Sequence, residues 1–246
     1  MAIELAFSNW SFMESLSPSE YFDLENYAHR DLFANCQYAW NALDRIGSYL
    51  EIYRCKESNE PAQVSPHAYL INPASIFLGS GTVVEAGAYI QGPCILGDNC
   101  TVRHGAYIRG NFICGDRCVI GHDTEIKNVI FLNHVSAGHF SYVGDSILGN
   151  DVNLGAGSKC ANLKLDRKPI VISYNGLHVA TQRRKIGAFI GDGSQIGCNA
   201  VLNPGTFLGK GSVVFPCTAF GGIAPAKSLI KLKAEIEVAI RKDISP

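Results

Sequence analysis

The chain has 246 residues, 47% of them hydrophobic, and a formal net charge of −1. Such a chain is not disordered, and it lacks the basic field that nucleic-acid binding draws on. No run of 18 apolar residues offers a transmembrane helix, and the N-terminal stretch lacks the basic region of a secretory signal, so a cytoplasmic location is expected. The nine cysteines contain no CxxC pair. That fits a reducing compartment better than a disulfide framework or a cysteine metal site.

Residues 1–60 read as a helical N-terminal segment. "SPSE" is a start signal, with Ser17 at the N-cap, Pro18 at the first helical position and Glu20 three residues after the cap. Tyr38, Leu43, Ile46 and Leu50 then recur at helical spacing. "SNEPAQVSP" reads as a linker. From Leu78 the chain runs LGSGTV, VEAGAY, IQGPCI, LGDNCT, VRHGAY, IRGNFI, CGDRCV, IGHDTE. The first place of each hexad is aliphatic, or once Cys. The fifth is Thr, Ala, Cys or Phe. The pattern returns at 148–159 and at 190–213. A strict six-residue period signals a parallel β-helix, in which the first and fifth places face inward. The cysteines at those places read as small apolar fillers. The repeat resembles the left-handed β-helix of hexapeptide-repeat proteins, where three hexads close one triangular coil. On that resemblance residues 61–222 form the β-helix. "PAKSLIKLKAEIEVAIRKD" then makes a C-terminal capping helix within 223–246.

Two excursions are expected, at 133–147 and 160–189. In the first, one hexad gains four residues between LNHVSA and LGNDVN, which should bulge outward and carry His139 and Tyr142. The second ends in Arg183, Arg184 and Lys185 and keeps the phase on re-entry. It reads as a hairpin that reaches a neighbouring subunit. Stacking adds a further inference. Arg109 and Lys127 are eighteen apart, so they occupy the same place on adjacent coils. Two cations that close either share a phosphate or carboxylate or fan apart into water.

"AGHFSYVGDSILGNDVNLGAG" and "RRKIGAFIGDGSQIG" resemble the acetyltransferase domain of bifunctional amino-sugar-1-phosphate acetyltransferase/nucleotidylyltransferases. The resemblance implies an acetyl-CoA-dependent N-acetyltransferase acting on an amino sugar phosphate, in nucleotide-sugar biosynthesis, as a homotrimer and without a metal. It implies His139 as the catalytic base, with Tyr142, Asn153 and Lys127 contacting the sugar phosphate. The phosphate-binding arginine falls on Arg103 by motif and on Arg109 by spacing. Acetyl-CoA contacts fall on Ala156 and Asn162, with Lys185 and Cys198 also assigned to the cofactor. Cys198 replaces a family serine and Leu163 a family tyrosine. The glycine-rich loop of the nucleotidylyltransferase half has no counterpart in residues 1–60, so that activity is not expected here.

Two rivals stand beside this reading. The γ-class carbonic anhydrases share the fold and bind zinc through histidines, two of them five apart. His134 and His139 have that spacing, and His104 or His122 offers a third. Alternatively, the chain is a non-catalytic trimeric scaffold.

Overall fold

The computed structural model describes residues 16–53 and 60–233. Three flat parallel sheets, of nine, eight and eight strands, wind into a triangular prism; we call them walls A, B and C in the order in which the chain visits them. On wall A, Val84 pairs with Val102 and Val102 with Ile120. On wall B, Ile90 pairs with Ile108 and Ile108 with Ile126. The inward rows close one long core, including Cys94, Cys100, Cys114 and Cys118. The fifth-place residues Thr82, Ala88, Ala106, Phe112 and Thr124 are buried as well. Each fully buried aliphatic contributes about 1.5–3 kcal/mol, so a repeated row carries the stability.

The coils are also laced together at the corner from wall C to wall A. Asp98 accepts a hydrogen bond from the Ser80 amide at 2.7 Å, and Asp116 from the Asp98 amide at 2.8 Å. Asn133, Asn150 and Asp192 continue the ladder.

The stutter is not a bulge. Ile95 pairs with Ile113, eighteen residues on, but Ile113 pairs with Ile130 and Ile130 with Ile147 at seventeen. One residue is missing at the corner between Ile126 and Phe131, and another between Val143 and Leu148. Two single losses shift a six-residue phase as a gain of four would. So the expected excursion at 133–147 is absent, and His139 lies in the strand Ser136–His139, paired with His122.

The N-terminal segment is less helical than expected. It forms a short helix α1 (Pro18–Tyr21), a 3₁₀ turn (Arg30–Phe33) and a helix α2 (Asn41–Ile52). Ser17 sits at the N-cap position, but its hydroxyl meets Ser19 rather than a helical amide. The corner ladder takes the backbone beyond α1 instead. Asp192 accepts from the Asp23 amide, Asn150 donates to the Asp23 carbonyl, and Asn133 donates to the Asn26 carbonyl. Helix α2 buries Leu43, Ile46 and Leu50, as the spacing predicts. The described part of the segment, 16–53, lies against the outer side of wall C, where Ile95, Ile113, Ile130, Ile147, Phe189 and Phe207 form a second apolar cluster with it.

The ends of the solenoid also differ from the sequence reading. Gln63–Val64, inside the supposed linker, is a strand paired with Val83–Val84. Ile223–Ala224 and Leu229–Ile230 are the last described strands, so 223–233 continue the coil rather than start a helix. The remainder of that helix, 234–246, lies outside the described residues. The second excursion does form an antiparallel hairpin, Val171–Tyr174 with Leu177–Ala180. It folds over its own chain, burying Ile170 and Ile172 in the wall C cluster while Arg183 pairs with Asp44 of α2. The opposite face of the hairpin, with Val171 and Leu177, stays exposed.

His29 is buried in the cap with its Nδ1 2.9 Å from the Tyr49 hydroxyl, and burial pushes its imidazole down to about 4. The folded cap therefore favours the neutral ring. That stability is complete above the unfolded value of about 6.5 and is lost as the pH falls towards 4, because the unfolded chain takes the proton first. Urea titrations should show the wild type losing about 3 kcal/mol more than His29→Gln between pH 7.5 and 4. Parallel curves for the two proteins would show that the cap does not depend on a neutral His29.

Candidate active site

The corner from wall A to wall B carries a column of histidines. His104 and His122 stack with ring centroids 5.6 Å apart, and His122 pairs in register with His139. The column continues upward. The amide following Ala156 donates to the His139 carbonyl, and the amide following Cys198 donates to the Ala156 carbonyl. Residues 139, 156 and 198, remote in sequence, thus occupy one edge on successive coils, about 4.8 Å apart. Glycines allow this: a Cβ on Gly121 would collide with the carbonyl of Gly138, next to His139.

The imidazoles are not equivalent. His104 Nδ1 is 2.8 Å from the Ala86 carbonyl, and His122 Nδ1 is 2.9 Å from the His104 carbonyl. A carbonyl only accepts, so both rings carry the proton on Nδ1 and are held flat. One coil higher the Phe140 amide uses the His122 carbonyl. Among the described residues, no side-chain hydrogen bond or ion pair fixes the exposed His139 ring. Phe140 lies beside it at a φ of 52° and is 54% exposed. Its ring meets His122 edge-on at 5.2 Å.

From this corner the chain enters wall B at Tyr142, which stacks in register on Glu125 and, below it, Tyr107. The Tyr142 hydroxyl donates to Asn162 Oδ1 at 3.4 Å, and Asn162 Nδ2 donates to Asp145 Oδ2 at 2.6 Å. Asn128 donates to the other Asp145 oxygen at 2.8 Å. Burial first, and then the charges of Glu125 and Asp145, push the Tyr142 hydroxyl up, so it remains a hydrogen-bond donor at neutral pH. Arg109 and Lys127 do occupy one place on adjacent coils, at the far edge of wall B. However, Arg109 already has a counterion, Glu125 Oε1, at 2.7 Å.

The other sequence-derived candidates are dispersed. Arg103 lies at the histidine corner, on the coil of His104, across wall B from Arg109. Asn153 is on wall A, paired with Ser136, so the corner separates it from Tyr142. Both ends of the Asn162 amide are engaged within the chain, where it acts on Tyr142. Lys185 bridges Leu163 at the neck of the second excursion. His134 is at the opposite end of its strand from His139, held by Asp151 at 3.0 Å and by Arg117. Among the described residues, the trio of possible metal ligands lying within 4.8 Å of one another is Cys100, Cys114 and Cys118, sealed in the core, and no histidine joins such a group. Glu125, Asp145 and Phe140 escaped the sequence reading. Glu125 was accessible to it, being eighteen residues from Tyr107 and seventeen from Tyr142.

Comparison with known proteins bears on the family. Residues 90–183 match the family model "GMPPB C-terminal domain", and residues 187–214 match "Hexapeptide repeat of succinyl-transferase". A bifunctional sugar-1-phosphate nucleotidylyltransferase/acetyltransferase of Sulfurisphaera tokodaii is 38% identical over 37% of this chain and 23% of its own length. The bifunctional protein GlmU of Methanococcus vannielii is 40% identical over 37% of this chain and 22% of its own. The chain thus spans about a quarter of the length of these two relatives. The uncharacterized acetyltransferase YaiX of Escherichia coli matches over 70% of this chain and 74% of its own length, at 31% identity. No helix among the described residues is long and apolar enough to cross a membrane. A hexapeptide prism with His139, Ala156 and Cys198 on one edge, matched over most of its length by that acetyltransferase, makes this chain a member of the hexapeptide-repeat acetyltransferases.

Proposed function

We propose that the protein transfers an acetyl group from acetyl-CoA to the amine of an amino sugar phosphate, with His139 as general base. The observation that carries this is the freed imidazole: His104 and His122 are tied to the corner, and among the described residues nothing so ties His139. The acceptor amine, in its neutral form, attacks the thioester carbonyl. His139 takes the proton from the attacking nitrogen, the C–S bond breaks, and the CoA thiolate leaves as the proton passes to it. The Tyr142 hydroxyl, kept protonated, offers its one proton to the developing oxyanion once it turns from the long contact with Asn162 Oδ1. The edge rising through Ala156 and Cys198 offers a track for the extended arm of CoA. Lys127, with Arg109, takes the sugar phosphate at the far edge of wall B. Arg103 lies across that wall from Lys127, which favours Arg109 as the phosphate arginine.

His139→Ala should lower kcat about 10²–10⁴-fold in a thiol-release assay, while KM and the melting temperature barely move. His134→Ala should leave the rate near wild type, whereas a zinc site using His134 would lose everything. A His139→Ala protein with wild-type turnover would put the non-catalytic scaffold in front.

The phosphate end is tested separately. Lys127→Ala should raise KM for a hexosamine 1-phosphate about ten- to a hundred-fold, the worth of a charge-assisted contact of about 1.5–3 kcal/mol. Glu125→Gln should lower that KM, because it releases Arg109 from its carboxylate. If the wild type acetylates phosphate-free glucosamine as well as the phosphorylated sugar, the anion does not bind there.

A trimer completes this picture. Wall C is covered by the cap, so copies meet through walls A and B, where Tyr69, Tyr107, Phe140 and Phe215 are exposed. Packing wall A of one copy against wall B of the next would bring Asn153 of one towards Tyr142 of the other, under closed three-fold symmetry. Sedimentation equilibrium at micromolar concentration should give three times the chain mass; a stable monomer would remove both the assembly and the shared site.

A further inference from the structure

Of the seventeen non-glycine residues with a left-handed backbone among the described residues, Phe140 alone has a pure hydrocarbon side chain. Asn and Asp tolerate that conformation because their side chains bond the backbone nearby, and a phenyl ring has no such compensation. At its own corner the same place is held by Gly105 and Asp123 below, and by Gly157 and Asn199 above. The turn therefore calls for a left-handed residue at 140 but not for a phenyl group. Burial does not offset the strain, because Phe140 is 54% exposed. Its ring meets His122 at 5.2 Å and His139 at 6.4 Å, centroid to centroid. Strain without a structural return clusters at functional sites.

We propose that Phe140 is the platform on which the pyranose ring of the acceptor stacks while His139 meets its amine. This rests on the transferase reading, which supplies the sugar. A pyranose is apolar on its C–H faces and polar around its rim. The surroundings of Phe140 match both parts. The phenyl ring suits the face, and His122 Nε2, 3.4 Å from Asp123 Oδ2, stands exposed beside it for the hydroxyls. The edge rising through Ala156 and Cys198 is the track for CoA, whereas the Phe140 ring turns down onto the coil of His122. The ring thus lies on the acceptor side of the base. A sugar held only by its phosphate at Lys127 swings about that point. A second contact at the corner aims the amine at the thioester, which is where positioning gains rate.

Stability and acceptor binding should move in opposite senses. Phe140→Gly and Phe140→Asn, residue types already used at this corner, should raise the thermal midpoint by about 2–4 °C. The same variants should raise KM for glucosamine 1-phosphate about tenfold, with KM for acetyl-CoA changing less than about twofold. Phe140→Tyr keeps the ring and should hold the acceptor KM within about threefold of wild type. Saturation-transfer NMR with N-acetylglucosamine 1-phosphate reads the contact without turnover. Its ring protons should take up saturation from the wild type and from Phe140→Tyr, and lose most of it with Phe140→Gly. A wild type that releases no thiol with any amino-sugar phosphate, yet shows that variant-sensitive saturation, would lose the transferase reading and keep the platform. An active wild type whose acceptor KM is unmoved in Phe140→Gly keeps the reading and overturns the platform. So does a KM effect on acetyl-CoA instead, which would put the ring under the donor. A Phe140→Gly protein no more stable than wild type, or one that sediments as a smaller species, also overturns it: the ring would then serve the fold or a contact between subunits.

Discussion

Each coil of the prism must turn at its corners, and nearly every turn places a residue in the left-handed region that most side chains avoid. At the corner from wall A to wall B these residues are Gly87, Gly105, Asp123, Phe140, Gly157, Asn199 and Cys217. The rest of the molecule follows from solving this problem repeatedly at one place. A fixed turn fixes the register of the next coil. Fixed register turns sequence intervals of seventeen, eighteen or forty-two residues into vertical neighbours. That is how His139, Ala156 and Cys198 come to share an edge without any contact between them in sequence. The same geometry explains the Asp and Asn ladder at the opposite corner, where each side chain reaches the backbone of the coil before it.

The ladder also decides where the N-terminal segment goes. Asp192, Asn150 and Asn133 keep spare hydrogen-bonding capacity on their outer side, and the backbone of 23–26 uses it. Once pinned there, the segment lays Tyr21, Trp40 and α2 over the outward Ile and Phe residues of wall C. Those residues would otherwise make an apolar stripe the full height of the prism, a surface that soluble monomers rarely leave bare. Covering one wall with the chain's own segment leaves the other two without such a cover. Those two walls meet at the histidine corner. The cap and the candidate site are thus coupled through geometry, although the described residues of the cap include none of the candidate site residues.

Much of this was legible in the sequence. The inward places of the hexads, the amphipathic α2 and the stacking of Arg109 on Lys127 all depend on local period, and local period is what a sequence displays. What was not legible depends on phase counted over several coils. A gain of four at one hexad and a loss of one at each of two corners leave the same downstream pattern. Only the pairing of Ile130 with Ile113 and Ile147 separates them. The helix predicted from Ser17 stops after one turn for a related reason. Its start signal was real, but the competing hydrogen bonds came from residues more than a hundred positions away. The pairing of Arg109 with Glu125 lies between these cases, visible to anyone who writes the coils one above another.

The loss of the bulge changes the account of why His139 is free. Outward looping is not needed. The difference between His122 and His139 lies in who uses the carbonyl one coil below: an imidazole in one case, the Phe140 amide in the other. Phe140 presents that amide from a left-handed backbone, at a φ of 52°, as Gly157 and Asn199 do on the coils above. That conformation is uncommon for a bulky residue, and strain of this kind costs on the order of 1–3 kcal/mol. The other residues at this corner position are smaller: Gly, Asp, Asn or Cys. A strained aromatic, 54% exposed, has no stabilising purpose that glycine would not serve better. Its position is explained by what it does to its neighbour. Its amide occupies the His122 carbonyl, and its ring meets the His122 ring edge-on at 5.2 Å. The irregularity in this repetitive chain is therefore an aromatic at one corner, beside a histidine whose ring makes no hydrogen bond among the described residues.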